Sequence, residues 1–416
     1  MDLVIGAGIS GLSYLNFCDH DDYMIIDQDS EIGGYCKTIK KDGFTWDYSG
    51  HFFHFRNKEI KDYLLTEMKG QEILDVQKFT QIFYKHNYVD FPFQKNIHQL
   101  PKSEFIDCLY DLFNNSFDDE TSFKKMLYTK FGKSIAEKFL IPYNEKLYAC
   151  DLDDLDEDAM GRFFPYANKE EIIKNFRKPD NFSYNTHFTY PRGGAIEYVN
   201  SLYRRIKSNK LSLNEKLLSI DIENKLAITN IRKIKYDRLI SSMPFTSLLD
   251  ITNTSYDKKI YSWNKVLVFN LGFNKKGADK INNWVYFPEK KYSFYRIGYY
   301  DNIFGDDRLS LYVELGFDNN SVIDSQEYLS VVLEDLKKAK IIDDHKLISH
   351  AKIIMDPAYV HVNKNSEVDK IKLQAYLEKK SIYSIGRYGD WKYCSIEDNI
   401  IEAQELSNKL NKTYNE

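Results

Sequence analysis

Residues 3–11 read LVIGAGISG, a short apolar run that ends in three glycines spaced G-x-G-x-x-G. The pattern predicts a strand, a tight turn and a helix. Gly6 permits the turn out of the strand. Gly8 lets a pyrophosphate approach the backbone, and Gly11 lets the helix pack close to the strand. The first N–H groups of that helix attract negative charge. Ser10 lies inside the same turn and joins the expected cofactor contacts. A second apolar run, Tyr23-Met24-Ile25-Ile26, ends at Asp27, where a dinucleotide fold sets a ribose-binding carboxylate. Three glycines alone also occur in ordinary loops. Strand, glycines, helix and terminal acid together predict a dinucleotide-binding unit.

The chain has 416 residues, enough for two or three domains. Lys plus Arg is 57 against 62 Asp plus Glu, so no basic bias points to a nucleic-acid partner. The five cysteines are dispersed without C-x-x-C spacing. That distribution excludes a disulfide framework and a zinc site, so no metal is expected, and it fits a reducing cytoplasm. No apolar run approaches membrane-spanning length, so no membrane span is expected. The cofactor strand opens the chain, so no targeting segment is expected before it. With 32 Tyr and 27 Phe, the composition suits both a large core and a site that stacks rings.

Helical apolar spacing predicts helices over 103–113 and 133–141, and a third over 326–338 with Ser325 as its cap. A final helix is expected from near Ser395 to about Leu410, with Ser395 and Asp398 as a capping box. Residues 212–318 alternate like strands, with a turn at Glu223-Asn224. The expected fold is α/β: a discontinuous Rossmann-like FAD-binding domain, a helical domain and an antiparallel β-sheet domain. Residues 1–80, 185–211 and 375–416 would form the first. Residues 96–180 would form the helical substrate domain with a mobile loop, and 81–95 with 212–370 the substrate sheet.

The stretch after Asp27, DSEIGGYCKT, adds Gly33-Gly34 and resembles the loop that runs along the flavin in amine-oxidase-like flavoproteins. FAD is therefore the expected cofactor. Seven further blocks, in order, resemble the flavin-dependent UDP-galactopyranose mutases, with motifs closer to the eukaryotic type. They are DYSGHFFH at 47–54, FPFQKN at 91–96, YNEKLYA at 143–149, MGRFFP at 160–165, NTHFTYPRGG at 185–194, WVYFPEKKYSFYR at 284–296 and GRYGDWKY at 386–393.

The resemblance implies a role for each matching position. Gly50 and His51 would lie under the flavin, joined there by Gly386, Arg387 and Ser395. Phe93, Gln94, Asn144, Tyr148 and Asn185 would contact the nucleotide sugar. Arg162, on a mobile loop, and Arg296 would bind its diphosphate, with Tyr286, Tyr359, Arg387 and Tyr393 around them. Arg296, Arg162, His51 and Gly50 would carry catalysis, while His54 reads as structural. Tyr148 stands where the family has tryptophan, and Ser395 where prokaryotic members often carry aspartate.

The implied activity is an isomerase reaction on a nucleoside-diphosphate sugar. Pyranose and furanose forms interconvert, with N5 of the reduced flavin as nucleophile in a covalent flavin–sugar intermediate. NAD(P)H is a candidate reductant, and a homo-oligomer is allowed. UDP-galactose, UDP-N-acetylgalactosamine and dTDP-fucose all remain open as substrates. The residue types fit the reading independently. Arginine forks pair with adjacent phosphates, and tyrosine hydroxyls donate to the remaining oxygens. The rival readings are an FAD-dependent oxidoreductase of the amine-oxidase or protoporphyrinogen-oxidase type, and a flavin binder without chemistry. Neither needs a diphosphate cage.

Overall fold

The computed structural model describes residues 1–68, 70–179 and 186–414. The opening glycine run forms what its spacing dictates. Asp2–Ile5 is a wholly buried strand, and Ile9–Asn16 is a helix that starts at Gly8. A Cβ on Gly11 would collide with the Gly6 carbonyl oxygen, so the helix crosses the strand at a distance only glycine allows. The strand sits inside a five-stranded sheet in the order Ile382–Ser384, Arg238–Ser241, Asp2–Ile5, Tyr23–Ile26, Leu211–Ser212. Every pairing in it is parallel. This is a Rossmann-like sheet assembled from distant parts of the chain.

The second layer is a twisted sheet running from Leu347–Met355 through Ser262–Phe273, Ser310–Asp318, Arg296–Tyr299, Trp284–Tyr286 and Thr80–Tyr84 to Asn87–Asp90. Its pairs are antiparallel except Trp284–Tyr286 with Thr80–Tyr84, which run parallel. Helices Lys102–Phe113, Phe123–Ile135 and Ile141–Tyr148 pack over one end around Phe93, Phe131, Phe139 and Leu147. Tyr286 and Tyr359 touch both this helical core and the core under the large sheet, which marks a seam between the layers.

Several sequence expectations need correction. Arg238–Ser241 falls inside the span 212–370 assigned to the substrate sheet, yet it pairs with the first strand of the parallel sheet. Its run Leu239-Ile240-Ser241 is apolar or small and buried, the signature of a parallel strand covered on both faces. Residues 217–235 form a separate three-stranded sheet. Ile73–Gln77, inside 1–80, pairs with His187–Pro191 rather than with the parallel sheet. Ser325 is the first residue of its helix. The cap is Asp324, whose carboxylate accepts from the N–H groups of Gln326 and Glu327. The helix expected over 133–141 is one piece of a longer broken run: Gly132 leaves helical geometry and Ala136–Leu140 is a π-turn. The final helix spans Ile396–Tyr414, and Ser395 and Asp398 exchange the expected capping hydrogen bonds.

Replacing Gly11 by Ala should lower the unfolding free energy by about 1–3 kcal/mol through overpacking against Gly6. Denaturant unfolding monitored by circular dichroism measures this, and an unchanged midpoint would refute the close crossing.

Candidate functional site

The nucleotide-binding end is built from bare backbone. Gly8 has an extended φ of −91°, a conformation open to any residue. A Cβ there would find no atom nearer than the Gly34 backbone at 3.8 Å. The protein itself therefore does not require glycine at this position. The space between Gly8 and Gly33-Gly34 is a cradle that a side chain would fill, and it fits a pyrophosphate. The helix that begins here receives no side-chain cap, so its first N–H groups remain available to an anion. Asp27 anchors the turn. Its carboxylate accepts from Ala7 N–H at 2.6 Å and Asp29 N–H at 2.9 Å. Burial raises its pKa while those two bonds oppose the rise. Gly33 N–H donates to the Ala7 carbonyl at 2.9 Å, closing the loop over Gly8. Sequence and structure thus bring Gly6, Gly8, Ser10, Gly11, Asp27, Gly33 and Gly34 together.

The last strand leads to the same place. Gly386 lies against the Ser10 hydroxyl, and Arg387 N–H donates to Asn399 Oδ1 at 2.8 Å. The Arg387 guanidinium lies 5.0 Å from the Tyr359 ring and 4.6 Å from the Tyr393 ring, which stack on each other. One Nη donates to the Cys394 carbonyl, whereas Nε is buried with no hydrogen-bond partner among the described residues. The Ser395 hydroxyl is already committed, because it donates to Asp398 in the helix cap.

The sheet register builds the other half. Tyr286 opposes Arg296, and Arg296 opposes Glu314, so the three stand side by side across adjacent strands. Arg296 donates to both Glu314 oxygens, from Nε at 2.5 Å and Nη2 at 2.9 Å. The Tyr286 hydroxyl accepts from Trp284 Nε1 at 2.8 Å. Tyr143 meets Tyr286 edge to face at 5.1 Å, and Tyr148 meets Tyr359 at 5.8 Å. Burial raises the Tyr359 pKa to about 12, so its hydroxyl stays a donor at neutral pH.

Besides Arg387 Nε, three further buried polar atoms in this region have no partner among the described residues: Gln94 Oε1, Asn144 Oδ1 and the Tyr148 hydroxyl. Gln94 and Asn144 spend their amide groups on the Pro165 and Leu140 carbonyls, leaving an acceptor at each. Unpaired buried polar atoms are costly in an empty protein and natural in a site that a polar ligand completes.

His51 lies between the two halves. Burial pushes its pKa down to about 4, the Ser49 carbonyl opposes this, and the Arg387 and Arg296 charges add to it. Its Nδ1 lies 3.1 Å from that carbonyl and so carries the proton, leaving Nε2 as an acceptor. Gly50 packs beneath the Tyr312 ring. His54 binds the His187 carbonyl from Nδ1 at 3.0 Å.

Other expected residues are placed differently. Phe93 is wholly buried in the helical core, stacked on Phe139 at 5.2 Å, because this ring is flanked by other apolar side chains. Arg162 is in an ion pair with Asp398 at 2.6 Å, and Arg296 in one with Glu314, so neither guanidinium is wholly open. Asn185 lies outside the described residues. Sequence reading missed Glu314, Ser49, Tyr143, Tyr312 and Asn399. A lone acid inside the apolar strand run LYVEL was the one available signal for Glu314. It also missed Lys78, whose amine sits 5.5 Å from the Phe91 ring and whose pKa burial lowers to about 8. Asp2, Cys18 and His20 converge closely enough for a metal, but Arg238 Nε donates to Asp2 at 2.7 Å.

Comparison with known proteins agrees with this architecture. Residues 4–65 match the family of NAD(P)-binding Rossmann-like domains. The whole chain superposes on a crystal structure of reduced UDP-galactopyranose mutase with a TM-score of 0.90 at 23% identity, covering 100% of this chain and 94% of that one. It also superposes on a protein assigned as a protoporphyrinogen oxidase from Exiguobacterium sp. 255-15, with a TM-score of 0.79 at 14% identity, covering 99% and 98%. Cyclohexylamine oxidase from Brevibacterium oxydans gives 0.71 at 13% identity, covering 100% and 99%. These likenesses show the fold. No helix among the described residues is long and apolar enough to cross a membrane.

Two outcomes follow from this geometry. Gly8→Val should fold like the parent by thermal melting and should take up less of an added dinucleotide such as FAD, measured by the flavin released on denaturation. Full flavin occupancy would refute the cradle. The second concerns His51, whose pKa is about 4 in the folded chain against 6.5 ordinarily. Its contribution is complete above about pH 6.5 and is lost as pH falls toward about 4. The parent should therefore lose stability relative to His51→Gln across that window, and parallel pH profiles would contradict a buried neutral imidazole.

Proposed function

We propose that this protein is an FAD-dependent mutase that interconverts pyranose and furanose forms of a nucleoside-diphosphate sugar. The observation that carries the reading is the group of Arg296, Arg387, Tyr286, Tyr359 and Tyr393, in which Arg387 directly follows the glycine that packs on Ser10 in the cradle's first helix. A nucleoside diphosphate offers two adjacent anions, and two arginines ringed by tyrosine donors answer them. The mutase fold match over the whole chain supports the same reading. An amine or porphyrinogen oxidase has no use for such a cage.

FAD would lie with its pyrophosphate on Gly8, Gly33 and Gly34 and its ring toward Gly50 and His51. When bound and reduced, it supplies the nucleophile at the anomeric carbon. The chain's own residues do the rest. Arg296 and Arg387 hold the diphosphate as it departs and keep it in place for return. Tyr286, Tyr359 and Tyr393 donate to its oxygens and, with their rings, exclude water. His51, neutral and accepting at Nε2, takes a hydrogen bond without adding charge. Gln94 and Asn144, through their unpaired oxygens, accept from N–H or O–H groups of the nucleotide or sugar. Arg162 would join the diphosphate by exchanging Asp398 for phosphate. The sheet, helical layer and parallel sheet act as substrate and cofactor domains in this account. The cytoplasm, where nucleotide sugars are made, is the proposed compartment.

A panel of UDP- and dTDP-sugars with dithionite-reduced enzyme tests the reading by furanose formation. Activity should require reduced flavin and consume no stoichiometric reductant. Stoichiometric oxidation of an amine or porphyrinogen, with no sugar isomerisation, would instead establish the oxidase. Arg296→Ala should weaken UDP binding by about 2–5 kcal/mol while sparing FAD. Titration calorimetry measures this, and equal affinities would refute the cage.

A further inference from the structure

Glu314 connects two groups that the site keeps apart. It lies in the middle of Ser310–Asp318 and is 1% exposed. Arg296 uses its Nε/Nη2 edge on this carboxylate, at 2.5 and 2.9 Å. The Ser49 hydroxyl donates to the same Oε1 that accepts Arg296 Nη2. Ser49 in turn holds the loop expected under the flavin, because its carbonyl accepts from His51 Nδ1 at 3.1 Å and from the Tyr300 hydroxyl at 3.4 Å. Arg296 Nη1 makes no hydrogen bond among the described residues, and the side chain keeps 20% of its surface exposed. A guanidinium clamped along one edge presents its other edge in a fixed direction. The register Arg296↔Glu314 makes this clamp a property of the sheet rather than of a loop.

We propose that Glu314 is a positioning residue that aims the free edge of Arg296 at the diphosphate and couples that anion site to the Ser49–Gly50–His51 loop. One carboxylate oxygen is shared by both partners, so a shift of either changes the bond to the other. An anion drawn against Arg296 is thereby felt at Ser49, and a change at the flavin loop is felt at Arg296. Such coupling is reciprocal: whatever UDP does to the flavin, the flavin's redox state does to UDP affinity by the same factor. The inference rests on the nucleotide-sugar reading and names the residue that links its two halves.

The experiment uses FAD-loaded protein with UDP as probe, comparing the parent, Ser49→Ala, Glu314→Gln, Arg296→Ala and the Ser49→Ala/Arg296→Ala double variant. Ser49 reaches the anion site through Glu314. Ser49→Ala should nonetheless weaken UDP binding by about threefold or more, and that effect should vanish in the Arg296→Ala background. UDP should shift the flavin midpoint potential of the parent, and the shift should fall by about half or more in both Ser49→Ala and Glu314→Gln. A residue with a merely structural role would change melting temperature and leave the shift intact. Unchanged UDP affinity in Ser49→Ala, additive effects in the double variant, or a full potential shift in both variants would overturn the proposal. Should Glu314→Gln fail to fold, the Ser49→Ala measurements still decide it. A parent holoprotein that does not bind UDP at all would instead defeat the nucleotide-sugar reading, and the two failures are thus distinguishable.

Discussion

Gly386 lies so close to the Ser10 hydroxyl that no Cβ fits between them. The contact joins the end of the chain to its beginning. It sets the turn after the last parallel strand against the first helix, and the residue that follows, Arg387, is delivered next to that contact. Arg387 then organises Tyr359 and Tyr393 by lying over both rings. The nucleotide-binding unit and the tyrosine group are therefore joined through a single glycine, which follows the edge strand of the parallel sheet and packs on its first helix.

Much of this was legible in the sequence because it depends on short-range constraints. Gly6 and Gly11 fix a turn whose geometry is local, and the capping exchange of Ser395 with Asp398 spans a single helical turn. What the sequence hid depends on register and burial. Nothing local announces that Arg296 faces Glu314, since the pairing arises where two strands align. Arg238–Ser241 reads as one more strand among many until the parallel sheet claims it. Phe93 sits in a motif that suggests ligand contact, yet its ring is consumed by the helical core. The glycine at position 8 shows the opposite case. Its reason is visible only once the structure shows that the protein alone would tolerate a side chain there.

Two of the three arginines assigned to the diphosphate, Arg296 and Arg162, already have acidic partners, Glu314 and Asp398. Burying an unpaired guanidinium is costly, so a site designed for an anion must hold its cations by other means until the anion arrives. The two pairs differ. Arg296–Glu314 is built into adjacent strands and leaves one edge open. Arg162–Asp398 joins a short turn after Gly161 to a helix cap, with both side chains partly exposed. The first is suited to permanent orientation and the second to exchange.

The most direct test of the account is a crystal structure of the protein with FAD and UDP bound together. The account predicts the FAD pyrophosphate between Gly8 and Gly34, and the UDP diphosphate between Arg387 and the free Nη1 edge of Arg296, within reach of the Tyr359 and Tyr393 hydroxyls. A diphosphate bound elsewhere, with the Arg296–Tyr393 cage closed on itself, would contradict it.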